Sequence, residues 1–269
     1  KMNKVLYIFL FSVLLFSCSP YQKALKTEDL AYKYEIATKK YDEGKYTKAI
    51  RLFEQIAGPN RGKPNAEKLF YMFAQSYYKT KQYYLSAHQF DAFVAGYPKS
   101  EQREEAAFLG AKSYTMLSPV YSLDQTDTEK AIEKLQNYIN TYPDSPNFDE
   151  ANKIIGELRD KLEKKYFEIA KAYGMVQNPI NDYKAGIKAL DNFISDYPGT
   201  KYKEDALFYK LEFSYNYAMK SIPSKMEERL NIAKNAYASL IRFKADTKFK
   251  KEADEMSASI DKELQKFSK

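Results

Sequence analysis

The sequence predicts an all-α protein, a right-handed superhelix of about five helical hairpins, and three observations predict it. The chain repeats itself: Phe93 to Ser100, Tyr138 to Ser145 and Phe193 to Thr200 share the order aromatic, three residues, Tyr, Pro, one residue, Ser or Thr. Leu240 to Ala253 aligns without gaps on Phe193 to Ala206 as a degraded copy in which Ala245 replaces the proline. Between the motifs, apolar residues recur at helical spacing, as in Leu69, Phe73, Ala74 and Tyr77 or Ala206, Tyr209, Phe213 and Tyr217, and no comparable run alternates like a strand. Nine glycines, about 3% of the chain against a typical level of roughly 7%, stand beside 25 Tyr and 17 Phe, a composition suited to packed helices.

The chain begins with a targeting pattern. Lys1 and Lys4 precede an apolar run from Val5 to Phe16, too short to cross a bilayer core of about 30 Å but suited to a secretory signal over residues 1–17. Leu15, Phe16, Ser17 and Cys18 resemble the bacterial lipobox, although Phe16 stands where a small residue is usual. The resemblance makes Cys18, the one cysteine of the chain, the lipidated residue, with acyl chains that each bury many CH₂ groups at about 0.8 kcal/mol apiece. Ser19 is not the aspartate that retains enteric lipoproteins in the inner membrane, which favours the periplasmic face of the cell outer membrane. Residues 18–28 then read as a lipidated linker, and 29–269 as one repeat domain with approximate repeats 30–64, 65–100, 101–145, 146–200 and 201–269.

Within each repeat the motif reads as a helix ending: apolar residues close a stripe, Pro stops the helix, and Ser or Thr is placed to cap the next one. Helix, turn, helix, proline resembles the tetratricopeptide repeat. Ala37, Gly44, Tyr46, Ala49 and Phe53 carry the resemblance in the first copy, and Ala74, Tyr77 and Pro98 in the second, with Ser86 in place of a usual alanine. Ala131, Leu135, Tyr138 and Pro143 carry it in the third, and Gly186, Leu190, Phe193 and Pro198 in the fourth. Small residues are needed where two helices of a hairpin cross closely, because a larger side chain overpacks the crossing. The third repeat holds an insertion, Ser118 to Ile132, between its helices, and Asp127 or Thr128 reads as the cap of the second. Repeats, lipobox and this insertion together resemble the BamD family, lipoproteins of the outer-membrane β-barrel assembly (Bam) machinery.

That resemblance implies a non-enzymatic scaffold that binds unfolded outer-membrane β-barrel proteins for insertion into the membrane. Its implied partners are a periplasmic domain of the barrel subunit BamA, other Bam lipoproteins, and the membrane through the lipid. The first helices of the repeats would form a concave wall. Counting repeat positions places Tyr34, Tyr41, Tyr71, Gln75, Tyr78, Lys79, Phe108 and Lys112 on it, with inter-repeat core as the competing role for any one ring. The implied ligand is an extended C-terminal segment ending in an aromatic residue and a free carboxylate: rings for stacking, Lys79 or Lys112 for the carboxylate. The C-terminal repeats would dock BamA, with Tyr183, Lys184, Lys188, Tyr209 and Lys210 as candidates, an ordinary solvated face being the alternative. The other reading is a repeat-type glycan-binding lipoprotein of a nutrient uptake system, a class that stacks sugars on tryptophan; this chain has none.

Composition excludes much chemistry. One Cys and one His leave too few ligands for the usual zinc, haem or iron–sulfur sites, and rule out a disulfide framework, so no metal and no cofactor beyond the lipid at Cys18 is expected. His88 lacks partners for a catalytic triad. The net charge of +7 is spread as Lys alternating with Glu and Asp, which reads as solvated helix faces rather than a nucleic-acid footprint. Gly58 to Pro64 lacks the spacing of a phosphate loop and reads as a turn-rich link. Adjacent pairs such as Glu104 with Glu105, or Glu227 with Glu228, point about 100° apart on a helix and form no acid–base pair.

Overall fold

The computed structural model describes residues 19–175 and 181–268. The expected signal segment, residues 1–17, and Cys18 lie outside the described residues. Helices are the only regular elements among them: α1 (Pro20–Lys26), α2 (Leu30–Asp42), α3 (Tyr46–Asn60), α4 (Ala66–Lys79), α5 (Tyr83–Gly96), α6 (Arg103–Leu117), α7 (Thr126–Thr141), α8 (Phe148–Met175), α9 (Asn181–Asp196), α10 (Lys203–Met219), α11 (Pro223–Phe243) and α12 (Lys250–Leu264). Among the described residues no helix is long and apolar enough to cross a membrane. The described residues divide into two compact units, the first comprising residues 19–119 and 125–155 and the second 120–124, 156–175 and 181–268.

In the first unit α2 pairs with α3, α4 with α5 and α6 with α7. The small residues sit at the crossings as the packing argument requires: Ala37, Ala49, Ala74, Ser86 and Ala131 are fully buried. Ser86 substitutes for alanine without an orphaned hydroxyl, because its Oγ donates to the Ala74 carbonyl at 3.4 Å and accepts from Ser113 Oγ at 3.0 Å. Gly44 turns α2 into α3 with φ +70°, and Lys81 occupies the matching place between α4 and α5 with φ 60°.

The second unit pairs α9 with α10 and α10 with α11, with α12 packed on both α10 and α11. A Cβ on Gly186 would lie 2.7 Å from the backbone of Gly174, and one on Gly174 would lie 2.2 Å from the Phe213 ring. The two glycines let α8 and α9 touch backbone to backbone. The turn 120–124 belongs to this unit, where the Lys165 ammonium donates to the Leu123 carbonyl at 2.6 Å and Lys164 lies 4.3 Å from the Tyr121 ring centroid.

Four local expectations are corrected. The supposed linker after Cys18 contains a helix, α1, whose Tyr21 and Ala24 are buried in the first core, because the two residues lie about one turn apart and share a face. The Ser and Thr of the repeat motif do not cap helices. Ser100, Ser145, Thr200 and Thr247 instead accept, through their side-chain oxygens, from the backbone N–H two residues on, at 3.1, 3.1, 3.2 and 3.3 Å, closing the turn before the helix starts. Helix α7 starts at Thr126, so Asp127 lies in its first turn, and buried Thr128 donates to the Gln125 side chain at 2.7 Å. Helix α3 runs through Pro59 to Asn60 before the chain turns at Gly62, φ +76°, so the link begins later than Gly58.

Candidate functional site

In the first unit α4 packs against both α2 and α6, the helices expected to form the wall. Tyr71, Gln75 and Tyr78 recur at intervals of four and three along α4 and therefore share a face, as Tyr34 and Tyr41 do on α2 at an interval of seven. The Tyr41 hydroxyl donates to Gln75 Oε1, and Gln75 Nε2 donates to the Tyr71 hydroxyl at 2.9 Å. Burial and the neighbouring Glu105 carboxylate hold the Tyr71 phenol far above its usual range, and burial likewise raises Tyr41. Both tyrosines stay neutral and are joined through Gln75, and the Tyr71 hydroxyl also meets the Glu105 carboxylate.

Tyr41 and Tyr71 line a cleft of about 470 Å³ with Asp42, Pro64, Glu67, Lys68, Met72 and Gln102. Lys68, not Lys79, is its cation. The two lysines are eleven residues apart on α4, about 16 Å along the axis. Lys79 is exposed beyond Tyr78, whose half-buried ring meets Tyr83 edge-on at 5.8 Å. Tyr34 packs against the first core cluster. Phe108 is only 5% exposed and its ring lies 5.1 Å from that of Tyr138, so it belongs to the packing between α6 and α7 rather than to an open wall. Lys112 covers Phe108 at 5.2 Å and pairs with Glu150 at 2.8 Å, so its charge is already partnered.

A second cleft, about 560 Å³, opens on the other side of the 61–66 link and was not singled out from the sequence. Arg61 and Lys63 supply its cations, Phe70, Phe93 and Tyr97 its rings, and Glu67 is shared with the first cleft. The Arg61 guanidinium lies 5.8 Å from the Phe70 ring centroid, and Phe93 and Tyr97 are 5.1 Å apart. The available signal was Arg61-Gly62-Lys63 held over an aromatic residue of the next helix. The two clefts thus differ in sign: carboxylates outnumber cations in the first, and cations outnumber carboxylates in the second.

Residues 27–230 match the family model YfiO, described as outer membrane lipoprotein. This chain belongs to the YfiO outer membrane lipoprotein family. Among curated proteins it is similar to the outer membrane protein assembly factor BamD of Haemophilus influenzae, 22% identical over 219 residues, with 78% of this chain and 82% of that one covered. It is also similar to a putative outer membrane protein assembly factor BamD of Aquifex aeolicus, 26% identical over 200 residues, covering 74% of this chain and 64% of that one. Among solved structures, a Podosopora anserina putative kinesin light chain with nearly identical TPR-like repeats aligns with a TM-score of 0.33 and 16% identity, covering 79% of this chain and 96% of that one.

The YfiO match spans all the candidate wall residues and those of the second unit, while Cys18 precedes it. In the second unit Tyr209 is embedded among Phe167, Phe208 and Phe213, with Lys171 at 4.6 Å from its ring. Lys210 pairs with Asp191 at 2.5 Å, and Tyr183 accepts from Lys220 at 2.9 Å. Lys184 and Lys188, one turn apart on α9, are exposed and make no ion pair among the described residues.

Proposed function

We propose that this chain is an assembly factor of the outer membrane, a component of the Bam machinery that binds unfolded β-barrel proteins and hands them to the barrel subunit. One observation carries the reading: the chain belongs to the YfiO outer membrane lipoprotein family over residues 27–230, and relatives matching most of this chain are named outer membrane protein assembly factors. Its mode of action in this proposal is binding rather than catalysis, on the periplasmic face, with acyl chains on Cys18 as the tether.

Client recognition is assigned to the first unit. The Arg61 and Lys63 cleft offers what an aromatic C-terminal residue with a free carboxylate requires: a guanidinium for the carboxylate, which hydrogen-bonds bidentately to such groups, and the Phe70 and Tyr97 rings for the side chain. The neighbouring cleft at Tyr41 and Tyr71, with Asp42 and Glu67, suits the uncharged upstream part of the segment. BamA docking is assigned to the second unit, with Lys184 and Lys188 as its charged contacts. Depleting the protein and measuring folded barrel proteins in the outer membrane tests the proposal. A fall in folded barrels, with BamA recovered on the purified protein, is expected; unchanged barrels with a TonB-dependent transporter recovered instead would overturn it.

A further inference from the structure

Helix α1 leaves almost no slack between Cys18 and the first hairpin. Its start is sharp, since the Ser19 side chain accepts from Gln22 N–H at 3.3 Å and Pro20 occupies the first turn, where its missing N–H costs nothing. Its body is docked: Tyr21 and Ala24 are 7% and 0% exposed in the first core, and the Tyr32 hydroxyl donates to the Pro20 carbonyl at 3.4 Å. Cys18 is the residue immediately before the described chain, and the two-residue step from it to Pro20 spans at most about 7 Å.

The outward side of this docked helix is basic. Residues 19–27 contain Lys23 and Lys26 and no acidic residue. Lys48, from the first turn of α3, joins them by lying 5.4 Å from the Tyr21 ring, while Lys23 lies 5.4 Å from the Tyr32 ring. All three lysines are exposed, and none has a carboxylate partner among the described residues. The Lys23 and Lys48 ammoniums are thus held over tyrosine rings of this region while both residues stay exposed, and Lys26 is exposed beside them.

We propose that α1 and Lys48 form a membrane-facing surface that lies on anionic lipid headgroups and fixes the orientation of the first hairpin against the bilayer. The inference rests on the reading of Cys18 as the acylated residue. Acyl chains supply retention; a tether this short, ending in a docked helix, brings its lysines to the headgroup layer, where each is worth about fivefold in affinity on an anionic surface. The occupant is a lipid surface because the point of attachment lies within two residues and the charges are complementary to it.

The test uses the acylated full chain on vesicles of phosphatidylcholine, with or without phosphatidylglycerol, carrying a headgroup-attached quencher and a fluorophore at Gln22→Cys on the exposed side of α1. Acylation is read separately by intact mass. The expected result is at least about twofold stronger quenching on the anionic vesicles, lost with Lys23→Gln, Lys26→Gln and Lys48→Gln together while vesicle-bound protein stays constant. Equal quenching on both vesicles, no response to the triple substitution, or quenching restored only by an added acidic protein would overturn it. If the mass shows no acyl group, the anchor reading fails. The lysine surface is then tested by cosedimentation, where the triple substitution is expected to lower partitioning onto anionic vesicles by on the order of a hundredfold.

Discussion

At Gly174 and Gly186 a single hydrogen in place of a methyl group decides whether two helices meet. The added Cβ at Gly174 would lie 2.2 Å from the Phe213 ring, and Phe213 is 2% exposed in a core cluster with Phe167 and against Tyr209. Gly186→Ala is expected to destabilise the second unit by about 1–3 kcal/mol through overpacking. Gly156, in α8 with open space around its Cβ position, is the control, where alanine should stabilise by about 1 kcal/mol through helix propensity. Denaturation midpoints of the two variants should therefore move in opposite directions. Glu204 is a second residue with a specific consequence. It accepts from Thr247 Oγ1 at 2.7 Å, Lys244 Nζ at 2.9 Å and Lys248 N at 2.8 Å, and the Thr247 hydroxyl and Lys244 ammonium hold its carboxyl at about 2. A carboxyl lowered in the folded state contributes stability above its ordinary value of 4.5 and loses it as pH falls toward 2. Glu204→Gln should flatten that part of the acid limb and cost about 1 kcal/mol at neutral pH, solvent screening keeping the figure small. An acid titration of unfolding free energy that superimposes on that of the parent would contradict this assignment.

The helical element is where the sequence was most readable, and its limits there are physical. Proline and the hydroxyl two residues later are local signals, so the repeat ends at Pro98, Pro143 and Pro198 were visible without coordinates. Whether a hydroxyl caps a helix or closes the preceding turn differs by a shift of about two residues, and both uses favour Ser and Thr. Helix α1 escaped because seven residues are too few to show a 3.6-residue period. The pairing of Tyr41 with Gln75 joins residues 34 apart on different hairpins, which no local pattern encodes, and the burial of Phe108 depends on Tyr138 arriving from α7. Comparing the repeats as elements also exposes a strain: Lys81 holds the left-handed conformation that glycine holds at Gly44. Lys81→Gly relieves a cost of about 1–2 kcal/mol and gives back about 0.5–1 kcal/mol in chain entropy. A net gain of about 0.5 kcal/mol, read as a higher denaturation midpoint with an unchanged m-value, is the expected outcome.

For the molecule as a whole, a net charge of +7 says little about where an anionic ligand goes, because adjacent clefts on one unit carry opposite balances. Any client segment laid across the first unit meets Arg61 and Lys63 on one side of the 61–66 link and Asp42 on the other, with Glu67 shared between them, so its direction is set by charge as well as by its rings. A C-terminal peptide from a barrel protein, ending in an aromatic residue, should therefore bind with its carboxylate at Arg61 and Lys63. Arg61→Ala with Lys63→Ala is expected to weaken that peptide by about tenfold or more at low salt. The same peptide with an amidated C-terminus should bind the parent protein about as weakly as the free acid binds the double variant. Amidation should then cost nothing further in the variant, the non-additivity expected of two changes that remove one interaction. Tyr78→Ala with Lys79→Ala, well along α4 from both clefts, should leave affinity within about twofold. If amidation weakens the double variant as much as the parent, the carboxylate is bound elsewhere, and the orientation assigned to the client is wrong even if the protein remains its receptor.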